Sequence, residues 1–309
     1  MIIHPGFVGC DVSKHHLDIF DARTGVRERI ANAAPECAAL AQSLAESGDL
    51  VVFEATGGYD AALRQALARA GCRFARVNPG RARDFARAAG FLAKTDRVDA
   101  RMLAAMGQAL GVGADPVPDP ARERLTLLVK RRDQLVAMRV QEKNRRAESV
   151  DKRLARDLQT HLDWLAARIA RFNLHIALAC KSPSIAGQVA LTRTAPGVGP
   201  VTACVLAALM PELGARSPKQ IAALAGLAPL NADSGLRRGQ RSIKGGRRRV
   251  RAAIYMAALG AARAGTPFRT FYLRLRAAGK PAKLALIAVA RKLLTTLNAM
   301  VRDNAAYTA

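Results

Sequence analysis

The chain has 309 residues, half of them hydrophobic, with 49 Lys and Arg against 24 Asp and Glu, a formal net charge of +25 and a pI near 11.2. That length and apolar content exclude a disordered polyelectrolyte and suit roughly two domains of about 150 residues each. The basic excess requires an anionic partner: nucleic acid is the first candidate and an anionic membrane surface the second. The apolar run VTACVLAALM falls well short of the roughly 20 residues a spanning helix needs. The stretch MIIHPGFVGC lacks the regions of a signal peptide, so the expectation is a cytoplasmic protein with no membrane partner. Cys10, Cys37, Cys72, Cys180 and Cys204 are scattered and odd in number. They read as reduced packing residues rather than a disulfide framework or zinc site.

In chain order, apolar runs at 7–12, 17–20, 51–54 and 74–77 alternate with Ala/Leu/Arg-rich stretches at 35–47, 60–70 and 80–90, an α/β pattern. The short turns SKHH and ARTG predict that the first three strands form an antiparallel meander. A mixed sheet with helices on its faces follows, compatible with an RNase H-like layout. Residues 111–120, GVGADPVPDP, break regular structure and mark a linker. The expected domains are therefore 1–112, a linker at 113–120, a helical coiled-coil or assembly region at 121–187, and a mainly α-helical region at 188–309.

Two of the strand-like runs end on an acid, Asp11 in FVGCD and Glu54 in VVFE, and Asp96 and Asp99 lie in KTDRVDARMLA. Residues three apart share a helix face, so these four carboxylates can converge at one sheet edge. Mg²⁺ favours such hard oxygen ligands, and a metal pair roughly 3.5–4 Å apart can clamp both oxygens of a phosphodiester displacement. The expected metal ligands are thus Asp11, Glu54, Asp96 and Asp99, holding Mg²⁺ or Mn²⁺. Cys10 beside Asp11 reads as a buried strand residue, not a nucleophile.

From 121 to 180 the pattern is helical. Leu154, Leu158, Leu162, Leu165, Ile169, Phe172 and Ile176 recur at spacings of four and three. Either a pair of long helices with a polar tip or one long helix that dimerises fits this seam, and Trp164 and Phe172 read as core residues beside it. Further on, Pro196, Gly197, Val198, Gly199 and Pro200 form a tight corner before an apolar helix. The corner is either a helix-hairpin-helix turn aiming backbone N–H groups at phosphate or a plain packed αα corner.

The segment NADSGLRRGQRSIKGGRRRVRAAIY sets eight basic residues, Arg237, Arg238, Arg241, Lys244, Arg247, Arg248, Arg249 and Arg251, against the single Asp233. This is a phosphate-binding footprint. Ser234, followed by Gly235, is a candidate nucleophile that needs a base or metal to take its proton; Ser242 is a similar candidate, and chemistry alone does not choose between them. No nucleotide-binding G-x-x-x-x-G-K-[ST] motif is present.

The blocks GCDVSKHHLDIF, VVFEATGGYD, RVNPGRARDFARAAGFLAKTDRVDARMLA, TAPGVGPVTACVLAALMPELG and AGLAPLNADSGLRRGQRSIKGGRRRVRAAIYMAAL occur in that order. Over essentially the whole chain they resemble the DEDD-type insertion-sequence transposases related to the Piv/MooV DNA invertases. The resemblance implies a RuvC-like N-terminal domain whose acids are Asp11, Glu54, Asp96 and Asp99, and a C-terminal transposase domain whose serine is Ser234. It implies covalent phosphoserine chemistry on donor and target DNA, Mg²⁺, multimers from dimer to tetramer with composite active sites, and a structured non-coding guide RNA. Two other readings stand beside it: a Holliday-junction resolvase-like, metal-dependent endonuclease in which water attacks, and a non-catalytic nucleic-acid binder.

Overall fold

The computed structural model describes residues 6–91, 96–231, 239, 242–263 and 265–308, and for 96–98 and 230 the backbone alone. The chain divides into two compact units, residues 1–118 and 119–309, meeting within the Pro/Gly-rich segment.

In the first unit, β1 (Phe7–Val12), β2 (His16–Asp21), β3 (Arg27–Ala31), β4 (Leu50–Glu54) and β5 (Arg73–Val77) form one sheet in the order β3-β2-β1-β4-β5. β1–β2 and β2–β3 are antiparallel, as the short turns predict, while β1–β4 and β4–β5 are parallel. The central strands β1 (FVGCDV) and β4 (LVVFE) are buried on both faces, which explains their near-continuous apolar sequence. The edge strand β3 (RERIA) is largely exposed and charged, a pattern that discourages pairing with another chain. The opposite edge is covered by the departing chain: Asp115 N–H donates to the Phe74 carbonyl (2.7 Å), and Arg76 N–H donates to Asp115 Oδ2 (2.8 Å).

Alternation sorts the sheet's side chains between two helical layers. Val8, Cys10, Val12, Val51 and Phe53 pack with Cys37 and Ala41 of α1 (Ala34–Ala45) and Leu63 and Leu67 of α2 (Ala61–Arg69). On the other face, Leu50 and Val52 pack with Ala82 of α3 (Pro79–Ala88) and Met102, Leu103 and Met106 of α4 (Asp96–Ala109). α3 starts where Asn78 accepts hydrogen bonds from the Gly80 and Arg81 amides, a side-chain N-cap.

The second unit opens with α5 (Pro120–Glu148) and α6 (Lys152–Ala179), each capped by an aspartate side chain, Asp119 and Asp151. The helices form an antiparallel hairpin: Leu125 and Val129 pack with Ile176 and Cys180, and Leu135 packs with Leu165 and Ile169. This matches the helix-pair reading, with two corrections at the seam. Leu154 is 61% exposed and Trp164 52% exposed, so the packed stripe begins nearer Leu162 and the indole lies outside the core. The hairpin is not a separate body, because Leu125 and Val129 share a core with Cys204, Val205 and Ala207 of α8 (Pro200–Leu209).

The remaining elements are α7 (Pro183–Arg193), α9 (Pro218–Leu224), the two-stranded pair β6 (Pro229–Leu230) and β7 (Ser242–Ile243), α10 (Arg248–Ala261), α11 (Pro267–Ala277) and α12 (Ala282–Arg302). Leu206, Ile221, Ile254, Phe268, Leu293 and Leu297 anchor their common core. α12 is long and apolar enough by length and composition to cross a membrane, contrary to the expectation drawn from uninterrupted apolar runs. Lys and Arg punctuate it, and nine of its residues, including Leu293, Leu294 and Leu297, are buried against neighbouring helices. The five cysteines are free thiols, and all but Cys72 are buried, as packing residues should be.

Candidate active site and nucleic-acid interface

β1 and β4 run parallel with Cys10 opposite Phe53, so the next residues, Asp11 and Glu54, stand side by side at the same ends of adjacent strands. Both point away from the α1/α2 core. Asp11 shares its face with Gly9, and Glu54 shares its face with Leu50 and Val52, which lie under α4. Gly9 lets α4 cross the sheet here: a Cβ at this position would stand 1.8 Å from the Ala100 carbonyl oxygen and 2.8 Å from the Ala104 nitrogen. Asp99, immediately before Ala100, is thereby delivered to the same edge. Burial first, and then the charge of Asp99, raises the Glu54 carboxyl above its ordinary range, while Arg83 on α3 draws it partway back.

Asp11, Glu54 and Asp99 therefore occupy one face. The Asp96 side chain lies outside the described residues. Among the described residues no set of three or more His, Cys, Asp or Glu side chains is close enough to hold a metal ion, so the expected cage is not complete within them. The donor chemistry nonetheless suits a hard divalent cation: the groups offer oxygen alone, and two carboxylates oppose each other's charge, which a cation would relieve. Thr56, two residues after Glu54, adds a buried hydroxyl with no hydrogen-bond partner among the described residues.

Two further residues neighbour this edge, Asp18, which its place on the strand after Asp11 made a possible metal-facing acid, and Arg83, which the sequence did not mark. Asp18 pairs across the sheet with Asp11 but is held by Arg29, whose Nε and Nη2 donate to its two oxygens at 3.0 and 2.8 Å. Arg83 has no motif to mark it; a basic residue one turn into the helix after β5 was the available sign. The Cys10 thiol is fully buried and pushed far above its usual range by that burial, which fits packing and not nucleophilic attack.

In the second unit, Ser234, Arg237, Arg238 and Arg241 lie outside the described residues. β6 and β7 bracket the stretch that contains them. The base of that bracket is tightly built. Gly226 and Gly246 have φ of +69° and +66°, and a Cβ on Gly246 would stand 2.1 Å from the Gly226 nitrogen. Arg251 donates to the Gly226 and Gly245 carbonyls (3.2 and 2.7 Å), and the Arg247 amide donates to the Leu224 carbonyl (2.8 Å). Gly246→Ala should therefore cost about 2–3 kcal/mol through overpacking and left-handed strain, read as a fall in the denaturant midpoint.

The basic residues divide by partner. Arg247 forms a two-pronged pair with Glu212 (both contacts 2.6 Å) and also donates to the Leu209 carbonyl. Burial alone would raise the Glu212 carboxyl, but the hydrogen bond and charge of Arg247 hold it below its ordinary range. Arg249 pairs with Asp133 of α5. Arg247 and Arg251 thus hold the base of the loop and Arg249 ties α10 to α5, while Lys244 and Arg248 are exposed.

The glycine corner also divides. Gly197, with φ +77°, sits where a Cβ would stand 2.1 Å from the Ala257 carbonyl oxygen, so it serves close packing on α10. That favours the packed-corner reading at this residue over phosphate contact. Gly199 caps α8, and a Cβ there would meet nothing within 4 Å.

Comparison with known proteins adds the class. Residues 189–273 match the model of the transposase IS116/IS110/IS902 family, and residues 8–152 match a DEDD transposase model of the IS110 type. These two successive matches, both to transposase models, and the relatives below indicate an enzyme of the DNA recombinase or transposase class.

Among individual relatives, the pilin gene-inverting protein of Moraxella bovis is 29% identical over 262 residues, spanning 82% of this chain and 80% of that protein. Its counterpart in Moraxella lacunata is 28% identical over the same shares. An uncharacterized 43.6 kDa protein of insertion element IS110 from Streptomyces coelicolor is 37% identical over 115 residues, 36% of this chain and 28% of its own length.

Proposed function

We propose that the chain cuts and rejoins DNA through a covalent phosphoserine at Ser234, assisted by a divalent cation at Asp11, Glu54, Asp96 and Asp99. The observation that carries the acidic half is the registered pair Asp11 and Glu54 on adjacent parallel strands, with the charge of Asp99 acting on Glu54. The strand order β3-β2-β1-β4-β5, three antiparallel strands followed by two parallel ones, supports an RNase H-like, RuvC-like reading of the first unit. A bound Mg²⁺ would supply Lewis-acid stabilisation of charge on the phosphoryl oxygens.

The chain's own part begins with the Ser234 hydroxyl. Its oxygen bonds to phosphorus, its proton passes to a base, and one deoxyribose oxygen leaves and takes up a proton. The phosphodiester energy is kept in the serine ester, so a sugar hydroxyl of another strand end can reverse the step without a nucleotide cofactor. The β6/β7 pair and the arginine contacts beside it hold the two ends of the segment that carries Ser234. Lys244 and Arg248, with Arg237, Arg238 and Arg241, are proposed to grip phosphates, and Gly199 to leave the α8 N-terminus open to backbone contact.

Donor and target DNA are the proposed substrates. The pilin gene-inverting relatives favour inversion or transposition of a defined segment. A structured guide RNA and a dimer-to-tetramer assembly rest on the family resemblance and on the large basic excess.

The competing reading is hydrolysis by water at the acidic edge, favoured by the carboxylate pair itself. Recombination and nicking assays on Ser234→Ala and Asp11→Asn separate the two. Serine chemistry predicts that both variants lose recombination and that Ser234→Ala leaves no hydrolytic nicking behind. Wild-type-like, metal-dependent nicking by Ser234→Ala would establish the nuclease instead.

A further inference from the structure

We infer a second nucleic-acid site, separate from the basic loop, in the cleft between α11 and α12, and assign it an unpaired strand. This inference rests on the proposed DNA chemistry for its context but not for its geometry. The cleft has a volume of about 710 Å³ and is lined by Thr266, Arg269, Thr270, Phe271, Arg274 and Lys292. That volume suits a nucleotide-sized group and is too small to seat a duplex.

The charge in the cleft is held differently from that of the basic loop. Arg274 and Lys292 lie over the Phe271 ring, 5.2 and 4.9 Å from its centroid. An aromatic ring orients a cation without cancelling its charge. Arg247 and Arg249, by contrast, are paired with carboxylates. Arg269, Arg274 and Lys292 are exposed and have no carboxylate partner among the described residues, and the sequence contains no Asp or Glu from 234 to 302. Two cations oriented by Phe271 and a third, Arg269, all uncancelled, beside threonine hydroxyls and the apolar side chain of Leu273 fit a phosphodiester with its attached base. Arg269 and Phe271 lie within the family-matched residues 189–273, and Arg274 and Lys292 lie beyond them.

The test is salt-dependent binding of the full-length protein to a labelled single-stranded DNA, the same sequence as RNA, and the DNA duplex. The triple variant Arg269→Gln, Arg274→Gln, Lys292→Gln is expected to lower the slope of log affinity against log salt by about 2 for a single strand, since each phosphate contact contributes roughly 0.7. The charge-keeping variant Arg269→Lys, Arg274→Lys should retain most of the slope, with thermal unfolding of both variants matching wild type. A change larger for RNA assigns the cleft to RNA, a change larger for DNA assigns it to DNA, and an equal change leaves it open to either strand; all three support the site. An unchanged slope for both single strands, or a change confined to duplex, overturns it. Strand transfer by the same preparations separates the two proposals. Ser234-dependent transfer with an unchanged slope removes the cleft alone, whereas a changed slope without such transfer removes the serine chemistry alone.

Discussion

Glu54→Gln is expected to reduce strand transfer by about a thousandfold or more while leaving DNA affinity within about twofold. Glu54 ends β4 beside Asp11 on β1 and is the carboxylate on which burial and Asp99 act together. In the proposed site a cation held at this edge would stabilise the charge that develops on the phosphoryl oxygens. Losing several kcal/mol of such stabilisation, about 4, corresponds to roughly three powers of ten in rate. The same substitution should preserve or increase the stability of the metal-free fold, because it removes a partly buried charge that opposes Asp99. Its pH dependence has a definite sign. A carboxyl raised in the folded state binds its proton more tightly there than in the unfolded chain. Its contribution to stability is complete below the ordinary Glu range and fades as pH rises through the raised value. Chemical denaturation in chelator from acid to neutral pH should show wild type losing this contribution and Glu54→Gln lacking the loss. A variant that is less stable at neutral pH, or that still transfers strands at the wild-type rate, would contradict the assignment.

Gly9→Val should do comparable damage by a different route. The new side chain has no room between β1 and α4, because even its Cβ would stand 1.8 Å from the Ala100 oxygen. α4 must lift, and with it go the contacts of Ala100 and Ala104 with Phe20. Overpacking of this kind costs about 3 kcal/mol or more. Asp99, one residue before Ala100, is displaced with the helix, so strand transfer should fall even at temperatures where the variant remains folded. Gly113→Ala is the control: a Cβ there meets nothing within 4 Å, and a stability change within about 0.5 kcal/mol is expected. Urea midpoints and strand-transfer rates on the two variants check both parts.

The sheet was legible because burial on both faces leaves an unmistakable apolar run, and because an acid interrupts two such runs near their ends, Asp11 one residue before the end of β1 and Glu54 at the last position of β4. β3 announced itself only through its flanking turns, since an exposed edge strand has no apolar stripe to display. Gly9 carries no sign of its role in sequence, where a glycine inside a strand reads as a weakness, yet it sets the approach of the helix that bears Asp99. The arginines were the least legible. A count of charges does not reveal that Arg247 meets Glu212 from 35 residues away or Arg249 meets Asp133 from 116. Trp164 shows the converse: its place beside a leucine seam suggested burial, but the seam's exposed flank holds it with Arg168 over the ring at 5.8 Å. α12 escaped notice as a long apolar helix because its basic residues break the run while leaving one face free to pack.

The most direct measurement is mass spectrometry of the protein trapped on DNA. Full-length protein is incubated with candidate element DNA ends and Mg²⁺, with and without the proposed guide RNA, denatured, digested with nuclease and protease, and its peptides searched for a nucleotide adduct. The account predicts a phosphodiester-linked nucleotide on Ser234, absent from Ser234→Ala and absent when EDTA replaces Mg²⁺. An adduct on Ser242, or efficient metal-dependent strand cleavage with no adduct on any serine, would contradict it.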